Sequence, residues 1–82
     1  MEQEILTALS RDFPDVQGDI ALEASTGRYN GHILSDQFEG LTFLQRQKRV
    51  FNILRAVLGA ETQHISMLFT YTPAEYEMLL AA

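Results

Sequence analysis

The sequence predicts an α+β domain of element order α-β-β-α-β-α, with a three-stranded mixed sheet and its helices on one face. Three observations lead there. A helical stripe of apolar residues over 43–58 is opened by a capping box, Thr42 with Gln45, and closed by Gly59. Residues 19–25 and 63–71 alternate with the period of half-buried strands. The stretch 29–35 also reads as a strand, so strand, long helix and strand follow in turn. That crossover unit makes the two strands parallel when they share a sheet. At 82 residues the chain holds a single domain, 1–82.

Each element has its own signal. Ile5, Leu6, Leu9 and Phe13 recur at helical spacing, which predicts a helix over 2–13 that Pro14 stops. Residues 15–18 connect it to the first strand, in which Ile20, Leu22 and Ala24 share a side. Thr26, Gly27 and Arg28 make a tight turn, and residues 29–35 return as the second strand of a hairpin. Asn30, Gly31 and His32 interrupt its alternation. Residues 36–41 form a loop. The long helix follows, with Phe43, Leu44, Val50, Phe51, Leu54, Val57 and Leu58 on its apolar side. In the third strand, Ile65, Met67, Phe69 and Tyr71 are assigned to one face and His64, Ser66, Leu68 and Thr70 to the other. A second capping box, Thr72 with Glu75, and Pro73 at the first helical position open the last helix.

Composition narrows the function. With 46% hydrophobic and 21% charged residues, the chain is neither a disordered segment nor a membrane protein. No apolar run approaches the roughly 18 residues that cross a bilayer. The start MEQEILTALS is acidic and amphipathic, unlike a signal or transit peptide, so a cytoplasmic location is expected. There is no cysteine, which removes disulfides, thiolate nucleophiles and thiolate zinc sites. An iron–sulfur cluster on this chain would need its thiolates from another molecule.

Charge is unevenly spread. The net charge is −5, yet Arg46, Lys48, Arg49 and Arg55 fall in a stretch without an acid. That leaves −9 elsewhere, the difference between −5 and +4. The strip is either a solvated helix face or an oriented contact with a negative surface.

Catalytic signatures are absent: there is no GxSxG, P-loop or HExxH. Asp36 and Glu39 form a nominal carboxylate pair, but acids ahead of a helix ordinarily complement its dipole. The chain is therefore expected to act by docking, not as an enzyme. The histidines carry more interest. In the parallel arrangement His64 begins the third strand beside the hairpin turn. If Ile65 and Met67 face the helices, His64 lies on the open face. There it is either an idle solvent-facing side chain or a neutral imidazole available to a metal. His32 lies on the second strand with its face undetermined, a weaker metal candidate.

The run LSDQFEGLTFLQRQKRVFNILRAVLGAETQHISMLFTYTPAEYE resembles the BolA-like proteins. Its pieces are Ser35-Asp36 followed by Phe38-x-Gly40, the helix start Phe43-Leu44-Gln45-Arg46, the single histidine in Gln63-His64-Ile65, and Tyr71-Thr72-Pro73-x-Glu75-Tyr76. The similarity spans roughly residues 20 to 77. It implies a type II KH-like fold and pairing with a monothiol glutaredoxin of the CGFS type across a shared [2Fe–2S] cluster. The partner would bring a cysteine and glutathione, and His64 would be this chain's ligand. The work implied is iron–sulfur trafficking or iron homeostasis, with transcription regulation and stress response as associated roles. Partner contact is expected at Arg28, Tyr29, Phe38, Gly40, Arg46 and Lys48. Alone, the chain is expected to be a monomer or weak homodimer without cofactor. Two departures stand out. The short turn Ser25-Thr26-Gly27-Arg28 holds no His or Cys for a second ligand. Arg46-Gln47-Lys48 replaces the Arg-His-Arg of some members.

The competing function is nucleic-acid binding, with Arg46, Lys48, Arg49 and Arg55 on phosphates. No GxxG occurs, Glu39 occupies the loop where phosphate would approach, and the acidic remainder of the domain repels DNA. Three or four phosphate contacts also give only weak, salt-sensitive affinity.

Overall fold

A computed structural model describes all 82 residues. The order is α1 (Glu2–Leu9), β1 (Gln17–Glu23), β2 (Arg28–Leu34), a 3-10 turn (Asp36–Phe38), α2 (Phe43–Leu58), a second 3-10 turn (Gly59–His64), β3 (Ile65–Tyr71) and α3 (Pro73–Ala81). This is the expected α-β-β-α-β-α order. The three strands form one mixed sheet in the order β1-β2-β3, with β1 and β2 antiparallel and β2 and β3 parallel.

The first helix is shorter than its periodicity predicts. It ends at Leu9, where the amides of Asp12 and Phe13 both turn back onto the Leu9 carbonyl. That turn drops Phe13 into the core beside Ile5, Ala8 and Leu9. In the hairpin, Gly27 takes a positive φ of 69° and its amide donates to the Glu23 carbonyl at 2.8 Å. Gly31, which breaks the strand pattern, has a reason of packing. A Cβ there would collide with the Asp19 carbonyl oxygen of β1.

Both capping boxes form. Thr42 Oγ1 accepts from the Gln45 amide at 3.1 Å, and Gln45 Oε1 accepts from the Thr42 amide at 2.8 Å. At α3, Thr72 Oγ1 accepts from the Glu75 amide at 3.2 Å, and Glu75 Oε1 accepts from the Thr72 amide at 2.8 Å. Each box satisfies backbone donors that a helix start leaves open.

One face of β3 is corrected. Tyr29 of β2 pairs with Ile65, but Asn30 pairs with Met67, so Ser66 is an extra residue on β3. The irregularity reverses the alternation beyond it. Ile65, Leu68 and Thr70 are buried, whereas Met67 and Phe69 are exposed on the opposite face. The apolar residues grouped from the sequence with Ile65 thus lie away from it.

The core fills the space between the sheet and the two longer-range helices. Ile20, Ile33, Ile65 and Leu68 from the strands meet Ile5 and Leu9 of α1 and Val50 and Leu54 of α2. Phe13 and Phe38 close it, their ring centroids 4.9 Å apart. α1 and α2 therefore share one face. The expectation that all helices lie on one face is corrected. α3 leaves the end of β3 and crosses to the other side, where its Tyr76 ring stacks on His32 at 4.7 Å. It does so because the register shift in β3 turns Met67 and Phe69 to that side as an apolar surface for it.

The outer edge of β3 is blunted from α2. The Tyr71 carbonyl accepts from Ser35 on the β2 side, so the Leu68 and Thr70 carbonyls point outward. Gln47 donates to the first at 2.7 Å and Arg46 to the second at 3.1 Å. Side chains thus occupy acceptors that another strand would need.

Candidate functional site

His64 ends the 3-10 turn that precedes β3, so it is outside the strand to which the sequence pattern assigns it. Because Ile65 pairs with Tyr29, His64 stands at the end of the sheet where β2 begins, beside Arg28 and the hairpin turn. Thr62 anchors this turn from within: it is buried, and its hydroxyl donates to the Leu54 carbonyl of α2 at 3.2 Å. The imidazole itself is 50% exposed. Its nearest acidic neighbour is Glu61, with Nε2 to Oε2 at 3.8 Å. A half-exposed ring on a tethered turn keeps a lone pair available to an incoming group.

His32 does not join it. It pairs across the sheet with Asp19 and Phe69 and stacks on Tyr76. Phe69 lies five residues beyond His64 along the chain, roughly 16 Å at about 3.3 Å per residue. His32 as a second ligand is therefore corrected. Its pairing with Asp19 and Phe69 holds it mid-sheet, and the stack sets its ring against Tyr76 of α3. No three His, Asp or Glu side chains gather into a metal-holding group.

The expected partner-contact residues divide. Arg28 is exposed, Tyr29 is half-buried and Gly40 is exposed in its loop. Lys48 is exposed on the outside of α2. Phe38 is corrected: it is fully buried in the core and cannot present its ring to another molecule. Arg46 is corrected too, for both the glutaredoxin and the phosphate roles. Its guanidinium is spent internally. Nε donates to the Leu41 carbonyl at 3.1 Å and Nη1 to the Thr70 carbonyl at 3.1 Å. Nη1 and Nη2 also grip both oxygens of Glu75, at 2.7 and 3.0 Å.

The Arg46–Glu75 pair is the strongest electrostatic feature of the fold. A two-pronged charged hydrogen bond favours both ionised forms. It raises Arg46, chiefly through the Glu75 hydrogen bond. It also holds Glu75 down to about 2, through Arg46 first and the Thr72 amide second. One carboxylate thereby caps α3 and ties it to α2. Of the basic strip, Lys48, Arg49 and Arg55 remain outside. Arg49 lies over the Phe13 ring at 5.0 Å, and Arg55 donates to Asn52 at 3.0 Å.

A second polar junction was not read from the sequence. Ser35 Oγ donates to Asp15 Oδ1 at 2.6 Å, and the Asp36 amide donates to Asp15 Oδ2 at 2.7 Å. Ser35 Oγ also accepts from the Gln37 amide at 3.1 Å, capping the 3-10 turn. These donors hold the Asp15 carboxyl below its ordinary value, Ser35 most of all. The sequence pattern ends the second strand at Ser35 and leaves 36–41 as a loop; Asp15, the partner of Ser35, lies twenty residues earlier.

No family model and no curated protein matches the chain. Solved structures do. A bolA protein homologue from Coxiella burnetii is 36% identical, the match covering 92% of this chain and 88% of that one, with a TM-score of 0.56. BolA1 from Arabidopsis thaliana is 22% identical over 89% of this chain and 92% of its own, with a TM-score of 0.68. The BolA domain of SufE1 from Arabidopsis thaliana is 21% identical over the same shares, with a TM-score of 0.70.

Proposed function

The chain belongs to the BolA-like family, and from that premise we propose that it is a non-catalytic adaptor for a monothiol CGFS glutaredoxin. His64 completes a bridging [2Fe–2S] cluster whose thiolates come from the partner's cysteine and glutathione. The observation that carries this reading is the His64 ring, 50% exposed at the sheet end next to Arg28 and Tyr29. A chain with no cysteine can offer iron an imidazole there but no thiolate. Arg28, Gly40 and Lys48 remain accessible for docking.

The chemistry is that of a soft, exchangeable ligand. When bound, the cluster carries less negative charge with a neutral histidine in place of a thiolate, which raises its potential. Ligation requires a neutral imidazole, so binding weakens at low pH. The reading places the protein in the cytoplasm, in iron–sulfur cluster trafficking or iron homeostasis. The nucleic-acid alternative loses support because Arg46 faces inward and cannot reach phosphate.

The test is reconstitution. The protein is mixed with a glutathione-loaded CGFS glutaredoxin, iron and sulfide, and the visible spectrum is recorded. His64→Ala retains partner binding and shifts the spectrum. Identical spectra for wild type and variant remove His64 as a ligand.

A further inference from the structure

On the sheet face away from α1 and α2, a groove of about 450 Å3 lies between the strands and α3. Met67, Phe69 and Tyr71 form its floor; Tyr76, Leu79 and Leu80 form its wall. The wall residues sit at helical spacings of three and four, so one face of α3 turns toward the groove. Even so, α3 buries none of its residues. Phe69 is 47% and Leu80 68% exposed. The extra residue in β3 is what turns Met67 and Phe69 outward onto this face. A short helix gains its stability from burying an apolar face, and contiguous apolar surface of this kind marks an interaction site. A methionine such as Met67 suits a surface that adapts its shape.

Charge narrows the occupant. Asp19 and Glu23 of β1 stand on this face, and Glu77 is exposed on α3. Arg28 is the single Lys or Arg among the strands, while Lys48, Arg49 and Arg55 belong to α2 on the far side of the sheet. A second copy, itself carrying −5, would bring the same carboxylates against these. An added strand is disfavoured at the β3 edge, whose Leu68 and Thr70 carbonyls are already taken by Gln47 and Arg46. We infer that the groove receives an amphipathic helix of another protein, apolar along one stripe and flanked by Lys or Arg. The mode is a helix laid in a groove, anchored by residues spaced three and four apart. It is independent of the His64 reading, because that ring lies at the end of the sheet and outside the groove lining.

The probe is a synthetic helix of about 18 residues with leucines at helical spacing and lysines elsewhere, long enough to form. A counterpart carries glutamate in place of lysine. Amide shifts of the labelled full-length protein report the site. The lysine peptide shifts residues 67–71 and 76–80, and its affinity falls as salt rises from about 0.05 to 0.5 M. Leu79→Ser weakens it about tenfold. Phe69→Ser does the same and serves as the second variant if the first perturbs α3. His64→Ala leaves peptide binding unchanged, so the two sites succeed or fail separately. Four results would overturn the proposal. They are shifts centred on α1 or α2, equal binding of the glutamate peptide, binding indifferent to both groove variants, and a dimer in sedimentation that Leu79→Ser dissociates.

Discussion

Replacing Arg46 with methionine tests whether this guanidinium is an internal strut or a surface contact. The side chain is 10% exposed and Glu75 45% exposed, so the two partners are weighted differently. The Thr70 carbonyl loses a buried donor, which costs about 1–3 kcal/mol, and the Leu41 carbonyl a partly buried one at the low end of that range. Glu75 is half in water and rehydrates when freed, so the ion pair adds at most about 1 kcal/mol. Methionine keeps an apolar stem of similar length but loses the guanidinium, whose carbon lies 5.7 Å from the Phe38 ring centroid. The expected loss is about 3 kcal/mol, against a total of roughly 4–12 kcal/mol for a domain of this size. At about 4–8 °C per kcal/mol, Tm falls by about 12–24 °C. Urea and thermal unfolding followed by circular dichroism measure it, with Lys48→Met as the exposed control, expected within about 0.5 kcal/mol of wild type. Equal stability of the two variants would refute the strut and return Arg46 to the surface as a contact for anions.

Three further outcomes follow from the geometry. Glu75 in the folded state titrates at about 2 against an ordinary 4.5, so its stabilisation is fully present above pH 4.5. That stabilisation is lost as pH falls from there toward 2, and Asp15, also lowered, adds to the loss. Glu75→Gln flattens the acid limb of stability measured by urea titration, by about 1 kcal/mol after allowing for solvent screening. Thr70 Oγ1 is buried without a hydrogen-bond partner, so Thr70→Val raises the urea midpoint, equivalent to about 1 kcal/mol. Gly31→Ala drives a methyl group into the Asp19 carbonyl and splays β1 from β2, a loss of roughly 3 kcal/mol visible in thermal unfolding.

The legible parts of this fold were those written in local chemistry. Both capping boxes, Pro73 at the start of α3, Gly59 at the end of α2 and the crossover from β2 to β3 follow from neighbouring residues and were predicted where they occur. The first helix was overextended because Phe13 sits at a helical spacing from Leu9 yet reaches the core through a turn. The faces of β3 beyond Ile65 are the reverse of the alternation because alternation assumes an unbroken register, and one unpaired residue between Ile65 and Met67 breaks it. The basic strip misled for a related reason. A count of charges along a helix does not distinguish Arg46, which points at Thr70 and Glu75, from Lys48, which points at water. Its partner lies 29 residues away.

By itself the sequence determined the element order, the capped starts of α2 and α3, the absence of thiols and the presence of just two imidazoles, since each depends on residue identity and near neighbours. Tertiary structure alone decided which imidazole is presented and which is stacked, which arginine is buried, and which side of β3 meets water. Those outcomes depend on contacts between distant segments and on a register that one extra residue shifts. Burial and pairing are properties of the assembled sheet and helices, and no local pattern encodes them.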